Sequence, residues 1–305
     1  MKPPGSNNPV ASWVVNGLVI LLCLTWSSTW WGIRVTLEEV PPLTAAGVRF
    51  LLAGVVMVFV TAAWRSKEAG RSPPVWLWVV MGLANFAAPY GILYWAETSV
   101  PSGIAAVLWS IFPVLMAIAG HTLLGETLRF SQMCGFGVAF LGVVAMFAGD
   151  LGGAGVKQSH ALLLLLSPLA SAIGTTLVKR HGPDCSSLEL NRNGMLLGAA
   201  LLCLGGLAFE ETDPAAIGPR AIFATLYLAL IGTCLSFGLY FWLLRWAQAN
   251  RLSLIAYATA PLALLFGWLV GDGDLDATTL ISTAAIVAGI VMVLRKPAAR
   301  ESQQP

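Results

Sequence analysis

Charge is what this 305-residue chain has least of. Asp, Glu, Lys and Arg make up 10% of it, whereas a soluble domain carries roughly a quarter. So little polar surface cannot cover a globule in water, which excludes a soluble fold. Histidine is scarcer still, with three in all, and the 15 carboxylates are scattered. No metal cluster follows from either. The five cysteines, at 23, 134, 185, 203 and 234, include no CxxC pair and four of them sit in apolar runs; neither a disulfide framework nor a zinc site is implied. GxSxG and HExxH are both absent, and no pair of carboxylates shares a helical face at depth, so a polytopic membrane enzyme has no visible machinery. An ion channel would need a filter-like loop or a deep ring of charge, and there is none. No Asp or Glu lies deep in an apolar run, since Glu97 and Glu189 fall at run ends. Transport driven through a buried acidic proton relay is therefore not expected. His121, the one histidine inside a run, reads as an interfacial side chain close to Gly125. Nothing calls for a cofactor, a metal or a nucleic-acid partner.

What is present is hydrocarbon. Hydrophobic residues reach 57% and mean hydropathy is +0.78. The runs approach the roughly 20 residues that span a bilayer as a helix, and helices are required because lipid offers no water to an unpaired backbone. Polar punctuation delimits ten: 13–33, 43–64, 75–96, 102–124, 132–149, 161–179, 188–209, 221–244, 252–270 and 278–294. The first run is too long for a signal-peptide core and no small-x-small site follows it, so it reads as a span. The fold class is thus an all-α membrane protein with a lipid bilayer as its main partner.

Basic residues sort by loop. Lys2, Arg65, Lys67, Arg71, Arg129, Lys179, Arg180, Arg245, Arg251, Arg295, Lys296 and Arg300 fall in one alternate set of segments, against Arg34, Lys157 and Arg220 in the other. By the positive-inside rule both termini face the cytoplasm of a cell (inner or plasma) membrane.

The fourth and ninth runs resemble each other. SGIAAVLWSIFPVLMAIAGHTLLGETL begins at Ser102 and NRLSLIAYATAPLALLFGWLVGDGDL at Asn250. Pro113 aligns with Pro261 at an offset of 148, which also lays Gly125-Glu126 over Gly273-Asp274. The chain therefore reads as two five-helix repeats, 13–149 and 161–295, with a linker at 150–160 and tails at 1–12 and 296–305. Five is odd, so the second repeat enters from the opposite face, an inverted repeat of the transporter kind.

On these residues the chain resembles the drug/metabolite transporter superfamily, in particular the EamA-type ten-helix permeases. The resembling pattern is Trp26-Ser27-Ser28-Thr29, Arg34, Pro41-Pro42, Arg49-Phe50, then Pro113 and Leu124-Gly125-Glu126. Ser27 stands where the family usually has glycine, and Asp274 where the second copy usually has Glu. The resemblance implies a transporter of small metabolites, often amino acids; one branch exports aromatic and other neutral amino acids. It also implies a midplane site built by spans 1, 3, 4, 6, 8 and 9.

Those spans carry the candidate substrate-binding residues: Trp26, Ser28, Thr29 and Trp30; Asn85, Tyr90 and Tyr94; Trp109 and Ser110; Thr175; Tyr240 and Trp242; and Tyr257. Amphipathic aromatics and hydroxyls suit an amphipathic small molecule, although Trp and Tyr also populate interfacial belts and Ser and Thr tie helices together. Pro113 and Pro261 read as hinges. Gly125 reads as a helix stop, and Glu126 and Asp274 after the two stops as structural partners of basic groups. A monomer or a homodimer is expected.

Arg49 is the exception inside PPLTAAGVRFLLAG. Six residues into its span, it is about 9 Å deep, too deep for a loop charge. It reads as a brace for the outer end of the bundle, against helix C-terminal carbonyls or a carboxylate near Glu97. Its counterpart in the second repeat is expected at Arg192 or Asn193.

Overall fold

Apolar runs that cannot leave a backbone unpaired in lipid become ten helices. The structure, a computed structural model, describes residues 12–68, 70–150, 158–245, 252, 255–270 and 277–294; Asp274, the tails and most of the linker lie outside these. The helices are α1 Ser12–Leu37, α2 Pro42–Trp64, α3 Val75–Glu97, α4 in two segments (Ser102–Trp109 and Phe112–Leu124), α5 Phe130–Asp150, α6 in two segments (Gln158–Leu164 and Leu166–His181), α7 Ser187–Phe209, α8 Pro219–Leu244, α9 Ile255–Leu269 and α10 Ala277–Leu294. Six (α1, α2, α3, α6, α7 and α8) are long and apolar enough to cross a membrane alone, and the other four contain shorter apolar stretches. Among the described residues the only strand-like contact is a bridge between Arg71 and Cys185.

The packing repeats with a shift of five helices. α1 lies on α8 and α9, as α6 lies on α3 and α4; α2 lies on α8, as α7 lies on α3. α2 pairs with its own counterpart α7, and α5 with α10. Lipid supplies no hydrophobic force between helices, so such pairs depend on close approach through small residues. A Cβ on Gly47 would stand 2.6 Å from Cys203 Sγ, and one on Gly54 2.7 Å from Leu196. At the other pair, a Cβ on Gly135 would stand 2.8 Å from the Gly289 carbonyl and one on Gly142 2.8 Å from that of Ser282. In both pairs the contact number rises on one helix as it falls on the other. The pairs are antiparallel, as an inverted repeat requires.

Carboxylates clamp α2 and α7 at both ends. Glu210, just past α7, accepts the Leu43 N–H at 2.7 Å and the Thr44 N–H and hydroxyl at 2.8 Å, filling the unpaired donors at the start of α2. Glu68, just past α2, does the same for α7, accepting the Ser186 hydroxyl at 2.5 Å and the Ser187 N–H at 2.9 Å, with Arg245 Nη1 3.3 Å away. Burial pushes the Glu68 carboxyl up, but the bonds from Ser186, Ser187 and Leu188 outweigh it and hold it below the ordinary carboxylate range. Ser186 caps α7 by accepting the Glu189 N–H at 3.1 Å, and Glu189 pairs with Arg65 at 2.9 Å.

α3 and α8 each widen into one π-helical turn, Gly82–Ala87 and Leu230–Leu235. The turns are 148 residues apart, the offset that relates Pro113 to Pro261. In α3 the cause is Pro89, which has no N–H to give the Asn85 carbonyl; the Pro89 carbonyl is itself taken by the Ser167 hydroxyl at 2.9 Å. Phe237 stands at the matching place in α8, so another cause operates there. Thr233 and Ser236 hydroxyls reach back five residues to the carbonyls of Leu228 and Ile231, each at 2.7 Å, and such back-bonding opens a helix.

Candidate functional site

Where α1, α3, α4, α6, α8 and α9 converge they leave a chamber with about 740 Å³ of unoccupied space, mouth included. Its wall is made by Trp26, Thr29, Trp30, Ile33, Asn85, Tyr90, Leu93, Trp109, Phe112, Ser171, Thr175, Phe237, Tyr240, Phe241, Leu252, Ile255, Ala256 and Thr259. None of these is charged. Rings hold one another edge-on or tilted, the geometry aromatic quadrupoles prefer. Trp26 lies 5.5 Å from Phe237 and 5.4 Å from Tyr240 between centroids, and Trp109 lies 5.0 Å from Phe112. The indole N–H groups are used to fix the wall. Trp26 donates to the Gly232 carbonyl at 3.3 Å, which the α8 π turn presents, and Trp109 donates to the Ser167 hydroxyl at 2.9 Å. Thr175 donates to Asn85 Oδ1 at 2.9 Å, joining α6 to the π turn of α3.

Sequence reasoning named Trp26, Thr29, Trp30, Asn85, Tyr90, Trp109, Thr175 and Tyr240, and these share the chamber. Four candidates do not face it. Ser28 bonds the Thr25 carbonyl at 2.8 Å and the Tyr227 hydroxyl at 2.5 Å on the α1–α8 contact. Ser110 is buried and returns its hydroxyl to the Ala106 carbonyl at 3.1 Å. Tyr94 is buried behind the wall, and Trp242 packs partly buried against the core, away from the chamber. The backbone of Tyr257 belongs to α9, but its side chain lies outside the described residues. Phe237, Phe241, Leu252 and Ile255 were missed, because an apolar side chain facing a chamber carries no signal that separates it from one facing lipid.

The proposed hinges differ from each other. α4 breaks at Ser110–Ile111, one turn before Pro113, whose missing N–H frees the Trp109 carbonyl. Pro261 sits within an unbroken α9. Gly125 ends α4 in the left-handed region (φ 67°), and the Glu126 N–H then closes on the Gly120 carbonyl at 3.0 Å. His121 Nδ1 is 3.1 Å from the Glu126 carbonyl, and Glu126 lies within electrostatic reach of Lys179.

Arg49 is 1% exposed and does not snorkel. Its guanidinium donates to the Thr233 hydroxyl at 2.6 Å, the Tyr94 hydroxyl at 3.2 Å and the Gly232 carbonyl at 3.5 Å. Its Cζ stands 5.0 Å from the Tyr90 ring centroid and 5.5 Å from that of Phe50, within cation–π range. The expected brace was near Glu97; Tyr94, close to it in α3, is one partner and Glu97 lies in electrostatic reach, while the middle of α8, which was not expected, supplies carbonyl and hydroxyl acceptors from its π turn. Glu97 is fully buried at the end of α3, deeper than its place at a run end suggested, and Arg34 donates to its carbonyl at 3.2 Å. The offset of 148 lays Leu197, rather than Arg192 or Asn193, over Arg49. Arg192 bonds Asn193 Oδ1 at 2.9 Å, while Leu197 faces the π turn of α3, 2.8 Å from where a Cβ on Gly82 would stand.

A smaller cleft at the basic end, lined by Val178, Lys179, Ser187, Leu190, Leu244 and Arg245 among others, shares Phe241 with the chamber. Lys179 donates to the Leu244 carbonyl there.

A family model described as the EamA-like transporter family matches residues 13–148 and again 158–295. Similar curated proteins include the uncharacterized transporter YoaV of Bacillus subtilis, 24% identical over 90% of this chain and 94% of its own. PagO of Salmonella typhimurium is 26% identical over 91% of each chain. The uncharacterized inner membrane transporter YedA of Escherichia coli K12 is 28% identical over 91% of this chain and 89% of its own. A solved structure, titled only as the crystal structure of a protein, shares the fold at a TM-score of 0.75 and 20% identity, covering 93% of this chain and 97% of that one.

Proposed function

We propose a function from one premise: the chain belongs to the EamA-like transporter family. It is a multi-pass membrane transporter of a small molecule, and not an enzyme. In our proposal the cargo is a small metabolite such as a neutral or aromatic amino acid, exported across the inner membrane with both termini in the cytoplasm. The two five-helix repeats rock against each other so that the chamber opens to one side and then the other, with α4 bending at its break before Pro113. Trp26, Trp30, Trp109 and Tyr240 hold the ring or apolar body, and Asn85 and Thr175 its polar end. Each chain holds a whole chamber, so a monomer is sufficient and a homodimer carries two.

The observation that supports this most is the chemistry of the wall: uncharged and ring-rich, with few polar groups. The test is transport by the purified protein in proteoliposomes loaded with a pooled amino-acid and metabolite mixture, read by mass spectrometry. Neutral and aromatic amino acids are expected to leave wild-type vesicles and to stay in vesicles carrying Trp109→Ala. Retention of the whole pool by the wild type would overturn the proposal. Direction is read in cells: overproduction is expected to confer resistance to a toxic aromatic amino-acid analogue, and sensitisation would reverse it.

A further inference from the structure

The chamber wall has unspent hydrogen-bonding capacity, and part of it lies on buried atoms of Asn85 and Tyr240. Asn85 and Tyr240 are each 4% exposed and both line the chamber. Asn85 spends its oxygen on Thr175, while its Nδ2 has no hydrogen-bond partner among the described residues. Tyr240 Oη, beside Thr175, makes no hydrogen bond of ordinary geometry there either. A buried polar atom left unpaired is costly; Asn85 Nδ2 lies against Gly174 and Tyr240 Oη beside Thr175, both closed off in this state, so a guest atom completes the set once the wall opens between α3, α6 and α8. An amide N–H and a phenol O–H ask for an acceptor oxygen.

No carboxylate on the wall meets the opposite requirement, and of the ring faces that could hold a cation that of Tyr90 is already engaged by Arg49. An ammonium group needs a carboxylate or a cluster of open carbonyls, and no described lining residue is acidic. The Gly232 carbonyl that the α8 π turn presents is already taken by Trp26 and Arg49. A positive charge backs the wall: Arg49 Cζ lies 5.0 Å from the ring centroid of Tyr90, which lines the chamber, with Glu97, at the end of α3, in its electrostatic reach. Such a field disfavours a cation behind the same wall.

Resting on the transport function proposed above, we infer that the chamber recognises a ring-bearing guest by a carbonyl or carboxylate oxygen held at Asn85 and Tyr240, leaves an α-amino group unread, and rejects organic cations. An aromatic amino acid is then one member of a wider class that includes its des-amino acid and excludes its decarboxylated amine.

Three probes that differ in one group test this: phenylalanine, 3-phenylpropionate and 2-phenylethylamine. Binding is read by tryptophan fluorescence of the full chain in detergent, and efflux from proteoliposomes. The amino acid and the des-amino acid are expected to bind within about threefold of each other, with the amine at least about tenfold weaker. Tyr240→Phe, which keeps the ring, and Asn85→Ala are each expected to shrink that preference to about threefold or less. Should Asn85→Ala fail to fold, Tyr240→Phe alone carries the test. An amine that binds as well as the acid, or an amino acid that binds where the des-amino acid does not, overturns the inference and leaves the transport proposal standing. If none of the three binds or moves, the aromatic cargo falls and the inference with it.

Discussion

The two halves put the same irregular turn at the same register of the same helix and then use it differently. In the first half the π turn of α3 is opened by Pro89 and turns Asn85 toward Thr175 and the chamber. In the second half the π turn of α8 is opened by Thr233 and Ser236 hydroxyls and is taken up by Arg49 from behind and by Trp26 of the chamber wall. Across each turn lies a helix of the other half, and the contact residue is Arg49 in one case and Leu197 in the other. Duplication accounts for the shared position of the turns, and the divergence of a handful of side chains sets one toward the chamber, where we propose it reads the guest, and the other into the frame. π turns recur at functional sites because they expose backbone and shift side-chain phase without ending the helix.

The sharpest way to break this comparison is to make the halves alike. Arg49→Leu gives the first half the residue of the second; Thr233 keeps its bond to the Leu228 carbonyl and Gly232 its bond from Trp26, while Tyr94 loses the guanidinium. Losing hydrogen bonds to a buried charge costs about 1–3 kcal/mol for each polar group left unpaired. We expect a melting temperature in detergent lower by several degrees and transport reduced about 100-fold; a variant with wild-type melting and transport would show that Arg49 holds nothing. Pro89→Ala comes next. It restores an N–H to α3 and is expected to let Gly82–Ala87 return to α-helical phase, swinging Asn85 off the chamber. Transport is expected to fall about tenfold with stability unchanged or raised by up to about 1 kcal/mol. Unchanged transport would mean that Pro89 does not set the turn. The end caps sharpen the comparison with a smaller effect. Glu68 holds its proton less tightly folded than unfolded, so its contribution is present above the ordinary carboxylate range and is lost as pH falls through its lowered value. Melting curves of the wild type are expected to drop on acidification in that window, and those of Glu68→Gln to start about 1–2 kcal/mol lower and drop less. Equal slopes would remove Glu68 from the acid response.

Much of this was legible before any coordinates. Ten apolar runs are ten helices because hydrocarbon length and backbone pairing leave no other choice, and the Pro113–Pro261 offset already carried the register of the repeat. Chamber residues with both a ring and a polar atom, such as Trp26, Asn85 and Tyr240, stood out against an apolar background. The π turns did not, since the carbonyl that Pro89 strands in α3 is matched in α8 by hydroxyls no different in sequence from ordinary helix glue. The clamps at Glu68 and Glu210 were also hidden, because each acts on a helix more than 100 residues away in sequence; only Ser186-Ser187-Leu188-Glu189 hinted locally at a capped start. Arg49 was visibly anomalous, but its partners depended on a turn that only the packing shows.

The division of labour itself is tested most directly by two matched truncations, Asn85→Ala and Thr233→Ala, 148 residues apart at equivalent places in the two turns. Each is purified once and split between a melting curve and efflux of phenylalanine from proteoliposomes. Asn85→Ala is expected to lose about tenfold in transport at an unchanged melting temperature, and Thr233→Ala to melt several degrees lower while the surviving folded protein keeps wild-type apparent affinity. The same pattern from both variants, or the two patterns exchanged, would contradict the account.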